Sequence, residues 1–475
     1  MDIQRTELLP GVFLTTLRTD KFKSDCLSVS LLTQLSRETV SKNALLPRVL
    51  LRGSVYHPDL DAISRECDEL YGARVLPSVR KKGEMLCVGL YAGFLADRFT
   101  PDGSKLLEPV ARLVGELLLS PAMHGGLFLR DYVESEREKL IDDIRARVND
   151  KRSYAMDRLI EEMCCFEDYG CDDMGSEAEA AAVSYVDLTR HYRDLLQTAP
   201  IEIFYCGAAE PWRVAAACTD ALITLPRGEV DYDLGTDVRM NAVEAAPRVF
   251  DETLPVAQGK LCLGWRLGER VMADPDFAAI AVFNAVYGGS VTSKLFENVR
   301  EKLSLCYYAS SACDSFKGLM LVSSGVDPAD RERAQAEILA QLEAVKRGEI
   351  TDEELTAART YLSGALRALT DSPGALEEFY LSQTLKGLDY GPAEMAGLCE
   401  LVTKDDVVAV AQSLELDAVY FLHGEDDEDD EEDDDEDDDD PAAPLGSPSG
   451  GAVTAQSAVT ERADDEEEAT DDAET

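Results

Sequence analysis

The sequence predicts an α+β fold built twice over, each half a mainly antiparallel sheet packed with helices, followed by an acidic tail. Three observations lead there. A helix and strand unit recurs at two places, strand-like and helix-like segments do not alternate strictly, and the charge distribution separates the last 51 residues from the rest.

The charge comes first because it sets the boundaries. The chain of 475 residues holds 93 Asp and Glu against 46 Lys and Arg, a formal charge of −47. Residues 425–475 carry 25 of those acids and one base, Arg462, so about half of the net charge sits in a tail and −23 remains for residues 1–424. Sixteen consecutive carboxylates at 425–440, a Pro, Ala, Gly, Ser and Thr stretch and a second acidic cluster from Glu461 offer too little apolar surface to offset chain ordering, so the tail is expected to be disordered.

Within the body, 24–35 and 85–95 read as strands, and 106–119 and a long run at 130–163 as helices. Ser184 is a helix N-cap with Asp187 three residues on, followed by Leu188, Tyr192, Leu195 and Leu196 at helical spacing. The helix stops near Pro200, and 201–206 is an apolar strand ending at Gly207. Residues 226–247, rich in Gly, Asp, Asn and Pro, read as a join. Beyond it, 260–267 and 318–326 are strands, and 331–347 is a helix ending at Gly348. Thr351 with Glu354 opens another helix as a capping box. Then the closing unit returns: Thr403 with Asp406, a helix through Val407, Val410 and Leu414, and a strand at 418–422 before Gly424. The expected division is a first domain at 1–225, a linker at 226–246, a second domain at 247–424 and the tail at 425–475.

Composition excludes several functions. Binding a polyanion needs clustered cations, and the nearest run is Arg80, Lys81 and Lys82. No stretch approaches the roughly 18 to 20 apolar residues of a membrane helix, and residues 1–5 do not read as a signal peptide. The protein is therefore expected in the cytoplasm, its twelve cysteines reduced and largely buried. Cys164, Cys165 and Cys171 form one tight cluster without a second pair at ligand spacing, so no metal site is expected there.

The second half contains Tyr287-Gly-Gly-Ser290, Ser293-Lys-Leu-Phe296, Val299-Arg-Glu-Lys302 and Leu305-Cys-Tyr307, and the first half Tyr169, Gly170, Gly175 and the Ser184 helix. In this order the motifs resemble the pitrilysin/insulinase metallopeptidases over residues 1–424. The whole-length pattern, with Asn43-Ala-Leu-Leu-Pro-Arg-Val49, Asp68-Glu-Leu-Tyr-Gly72-Ala73 and Lys81-Lys-Gly-Glu84, looks most like the insulinase-like proteins associated with 5-aminopentanol modification of elongation factor P.

Active members carry His-x-x-Glu-His on a helix, which sets two imidazoles on one face toward zinc with a Glu between them to activate water. This chain has four histidines, His57, His124, His191 and His423, and none lies within four residues of another. Aligned on Val49-Leu-Leu-Arg-Gly53-Ser54, the first ligand position falls on Ala44, the base on Pro47 and the second ligand on Arg48. A guanidinium cannot ligate a dication and repels it. The later acidic helix persists, with Glu136 and Asp143 in the two acidic positions. Two readings of it stand: a solvated helix on which both acids flank Lys139, or an ion pair of Asp143 with Arg48 in place of zinc.

By position, the resemblance makes Arg300 and Tyr307 the pair that holds substrate backbone in active relatives. The alternatives are a helix-end arginine paired to Glu297 or Glu301 and an ordinary strand tyrosine. Ser304 stands where the family has Gly. Gly288 and Gly289 lack phosphate-loop spacing and read as a tight turn.

The resemblance thus implies a non-catalytic subunit without a cofactor. It would pair as a heterodimer with a zinc-bearing homologue, enclose a peptide or protein such as elongation factor P or a modification enzyme, and bind neither nucleic acid nor membrane. The alternative is a stand-alone peptide-binding or scaffolding protein whose acidic tail recruits a basic partner.

Overall fold

The computed structural model describes residues 2–268 and 276–424; the acidic tail at 425–475 lies outside the described residues. The strands are β1 (Asp2–Leu9), β2 (Val12–Arg18), β3 (Ser24–Gln34), β4 (Arg74–Lys82), β5 (Met85–Leu95), a short hairpin of β6 (Met123–His124) and β7 (Leu127–Phe128), β8 (Ile201–Gly207), β9 (Arg248–Thr253), β10 (Gly259–Arg266), β11 (Tyr308–Asp314), β12 (Leu319–Val326) and β13 (Glu415–His423). Among the described residues they form one sheet in the order β1-β2-β8-β3-β5-β4 and another in the order β11-β12-β10-β13-β9.

The duplication is visible in the pairing. In the first sheet the closing strand β8 is parallel to β2 and antiparallel to β3. In the second, β13 is parallel to β9 and antiparallel to β10. Laid side by side, β2-β8-β3-β5-β4 repeats as β9-β13-β10-β12-β11, with β1 an added edge strand. Each closing strand is preceded by a helix capped as the sequence predicts: Ser184 accepts from the Asp187 amide before helix Tyr185–Thr198, and Thr403 from the Asp406 amide before helix Lys404–Ser413.

One expectation needs correction. The run at 130–163 is two helices, Arg130–Ala146 and Lys151–Met163, because Asp150 leaves the helical conformation and its carboxylate caps the Arg152 and Ser153 amides. Helices cover both faces of each sheet. Helix Lys151–Met163 of the first half packs on the second sheet, where Leu159 and Met163 meet Cys262, Leu321 and Tyr420. Reciprocally, helix Pro373–Leu385 of the second half packs on the first, where Leu376 meets Leu17, Cys26 and Phe204. Each half lends a helix to the other. This explains why β8 and β12 are buried at every residue and read as continuous apolar runs rather than alternating ones.

The exchanged contacts carry a buried ionic network. Arg266, fully buried, makes a bidentate bond to Glu167 (Nη2–Oε1 2.7 Å, Nη1–Oε2 3.0 Å) and donates Nε to Asp417 at 2.8 Å. Lys317 Nζ lies 2.7 Å from Glu167 and 2.5 Å from Glu84. Arg80 forks onto Glu377 at 2.5 and 2.8 Å, Lys82 pairs with Glu378, and Lys81 donates to the Tyr169 and Cys171 carbonyls. The one short basic run in the sequence is therefore consumed internally. Burial opposes the Glu167 charge, but hydrogen bonds from Arg266 and Lys317 outweigh it and hold its carboxyl below the usual range.

Removing one partner from such a network leaves a poorly compensated buried charge. Arg266→Met is expected to cost about 3 kcal/mol of stability, read as a lower urea midpoint at unchanged slope. A loss under about 1 kcal/mol, the value of a surface pair, would contradict the assignment.

Candidate functional site

The helix in the motif position is Val40–Leu50, and its buried residues include Ala44 and Pro47. Pro47 has no amide hydrogen, so the Asn43 carbonyl loses its i+4 donor inside the helix. Ala44, the residue expected at the first ligand position, is 3% exposed and puts a methyl group into core. Arg48 leaves the core and reaches the acidic helix Arg130–Ala146, with Nη1 2.5 Å from Asp143 Oδ2. One turn on, Arg52 Nη1 lies 3.2 Å from Glu136 Oε1, which also accepts from Lys139 at 2.8 Å. The Arg52 guanidinium stacks on the Tyr132 ring at 4.9 Å.

Glu136 and Asp143 are thus each paired with an arginine. Glu136 is buried and faces Arg52 and Lys139, while Asp143 is half exposed and faces Arg48. Among the described residues, no group of three or more His, Cys, Asp and Glu side chains stands ready to hold a metal ion. Cys164 and Cys171 are buried, Cys165 is exposed, and all twelve cysteines are free thiols.

Two of the four histidines have side-chain hydrogen-bond partners, and a third, His423, has Nδ1 2.7 Å from the Gly424 carbonyl oxygen. His191, on helix Tyr185–Thr198, meets Asn43 beside the motif, with Nε2 2.6 Å from Oδ1. Burial, helped by the Lys42 charge, lowers its pKa to about 4, so it is neutral and donates Nε2–H to Asn43. His57 Nδ1 lies 2.9 Å from Glu116 Oε1 and its Nε2 3.5 Å from Glu66. Burial alone would lower the His57 pKa, but the Glu116 hydrogen bond and the two carboxylates raise it.

In the second half, the turn at Gly288 has the tightness its sequence suggests: a Cβ there would meet Ser311 Oγ at 2.6 Å and Leu295 at 2.7 Å. Residues 295–302 form a π-helical turn, a geometry frequent at functional sites. Arg300 sits on it, about 38% exposed, 3.6 Å from Glu301 and stacked on Phe296 at 4.9 Å. Ser304 then adopts φ +48°, a left-handed backbone that favours glycine, so the turn is kept at the cost of some strain. The turn delivers Tyr307, whose amide donates to the Gly325 carbonyl at 2.9 Å just before β11 begins. Its side chain is 66% exposed, and among the described residues its hydroxyl has no hydrogen-bond partner.

Two outcomes follow. His191 keeps its proton less readily folded than unfolded. Its contribution to stability is thus fully present above pH 6.5, and is lost as pH falls through about 4. An NMR titration of ring-labelled protein, assigned with His191→Gln, is expected to place its midpoint near 4, and a midpoint at 6 or above would refute the buried geometry. Arg48→Ala, which breaks a partly exposed pair, is expected to cost at most about 1 kcal/mol in chemical denaturation.

Comparison with known proteins agrees with the fold and with the missing motif. The family described as peptidase M16 inactive domain matches residues 182–362. The chain is 32% identical over 417 residues to the probable inactive metalloprotease YmfF of Bacillus subtilis, covering 88% of this chain and 96% of that protein. It is 32% identical over 117 residues, 24% of this chain and 28% of the other, to the uncharacterized zinc protease YmxG of the same organism. A crystal structure of a conserved protein from Enterococcus faecalis superposes with a TM-score of 0.80 at 29% identity, over 90% of this chain and 100% of that one. With the likeness to YmfF spanning nearly all of both chains, and with neither motif histidine present, this chain belongs to the peptidase M16 family as an inactive metalloprotease homologue.

Proposed function

We propose that this chain is the non-catalytic subunit of a two-chain peptidase M16 assembly, pairing with a homologue that carries His-x-x-Glu-His and supplying one wall of a chamber for a peptide or protein. The observation that carries this reading is the contrast between its two halves. In the first, the acids expected at the zinc site, Asp143 and Glu136, are paired with Arg48 and Arg52. In the second, Arg300 and Tyr307 stay open to solvent, on a turn held despite a strained Ser304. A packing role would have buried these two side chains; a grip on substrate backbone needs them free.

Bacillus subtilis has relatives of both kinds, one named an inactive metalloprotease and one a zinc protease, which supports a division of labour between chains. Association with aminopentanol modification of elongation factor P rests on the whole-length sequence pattern, and that role would imply a cytoplasmic location. Among the described residues, no helix is long and apolar enough to cross a membrane.

Mixing the full chain with a zinc-bearing homologue from the same genome is expected to give a complex by size-exclusion chromatography that cleaves peptides, with zinc-dependent activity absent from this chain alone. In that complex Arg300→Ala and Tyr307→Phe are each expected to raise KM roughly tenfold with little change in complex formation. Peptidase activity from this chain alone, or no complex with any such homologue, would overturn the reading. Loss of the chain from its host is expected to leave elongation factor P with an altered lysine mass by intact-protein mass spectrometry, and an unchanged mass would remove that assignment alone.

A further inference from the structure

The exchanged helix Lys151–Met163 brings Arg152 to the second sheet, where it meets Lys260 over one aromatic ring. The Arg152 guanidinium lies 4.2 Å from the centre of the Tyr308 ring and the Lys260 ammonium 5.8 Å from it. Tyr308 can lie this way because Gly325, its ladder partner, has no side chain: a Cβ there would stand 2.5 Å from the Tyr308 ring. Neither cation has a carboxylate partner among the described residues. Lys260 Nζ donates to Gln258 Oε1 at 2.7 Å and Arg152 Nη2 to Ser310 Oγ at 3.2 Å. Arg152 Nε is buried with no acceptor among the described residues.

Asp150, whose charge reaches Lys260, is committed to capping the helix through the Arg152 and Ser153 amides and the Ser153 hydroxyl. The Lys260 pKa is lowered, first by burial and then by the Arg152 charge. Two like charges converge, partly buried, in a chain with twice as many acids as bases. Among the described residues no counter-ion pairs directly with either.

The chain itself brings one to this place. Leu422 pairs with Lys260, Lys260 with Gly325 and Gly325 with Tyr308, so the end of β13 lies on the same sheet end as the cation pair. Gly424 follows immediately, and from there run the sixteen consecutive carboxylates at 425–440. With strands about 4.8 Å apart, the exit point is about 15 Å from Tyr308, whereas sixteen extended residues span up to about 50 Å.

We propose that residues 425–440 dock on Arg152 and Lys260, so that the first acidic segment of the tail lies across the start of β11 as a tethered counter-ion.

Carbodiimide crosslinking of the full-length chain at low salt, followed by peptide mapping, tests it. Lys260 is expected to join carboxylates of 425–440 within the same chain, as judged from a mixture of light and isotope-labelled protein, and to lose those products in high salt. Crosslinks that favour exposed Lys302 over Lys260, or that form only between chains, would overturn it. A full-length variant with the acids of 425–440 changed to Asn and Gln leaves the folded body intact. In it the acetylation rate of Lys260 is expected to rise about fivefold as the tethered competitor is lost, with Lys302 unchanged. An unchanged rate at Lys260 would likewise refute the docking.

Discussion

The fold depends on an exchange: each half gives one helix to the other half's sheet, and buried charges tie the exchanged pieces in place. Arg266 lies at its centre, held by Glu167 from the first half and Asp417 from the second, with Lys317 bridging Glu167 to Glu84. Ions in such a place contribute little net stability once desolvation is counted, but they are intolerant of change, because losing one strands another. The network thus fixes how the halves meet more than how firmly they hold.

The helix pair where the sequence predicts the degenerate zinc motif is held as a structural joint. Carboxylates without a metal need another cation, and here Arg48 and Arg52, one helical turn apart, meet Asp143 and Glu136, nearly two turns apart on the facing helix. Pro47 and Ala44 occupy the remaining positions as core residues. A neutral His191 bonded to Asn43 completes the repacked surroundings. What the first half has lost in chemistry it has replaced with contacts between two helices.

Local signals made much of this legible in sequence. The caps at Ser184, Thr351 and Thr403 declared their helices because a hydroxyl three residues from an acid satisfies orphan amides in any context. The degenerate motif was legible because imidazole and carboxylate have no substitutes in Ala, Pro and Arg. The exchange of helices was not, since periodicity shows that a face is apolar and not which sheet covers it. The break at Asp150 was missed for a related reason: apolar spacing continues across it, and only the cap interrupts the backbone. The ion pair of Arg48 with Asp143 could be named as an alternative but not chosen, because 95 residues separate its members. The Asn43 contact of His191 left no sequence signal.

The central claim is that this chain retains the architecture of a metallopeptidase while its own zinc site is closed. Anomalous diffraction at the zinc edge, from crystals of the chain with its zinc-bearing partner grown in excess zinc, addresses it directly. The account predicts a zinc peak in the partner alone, with Arg48 still joined to Asp143. A peak between helices Val40–Leu50 and Arg130–Ala146 of this chain would contradict it.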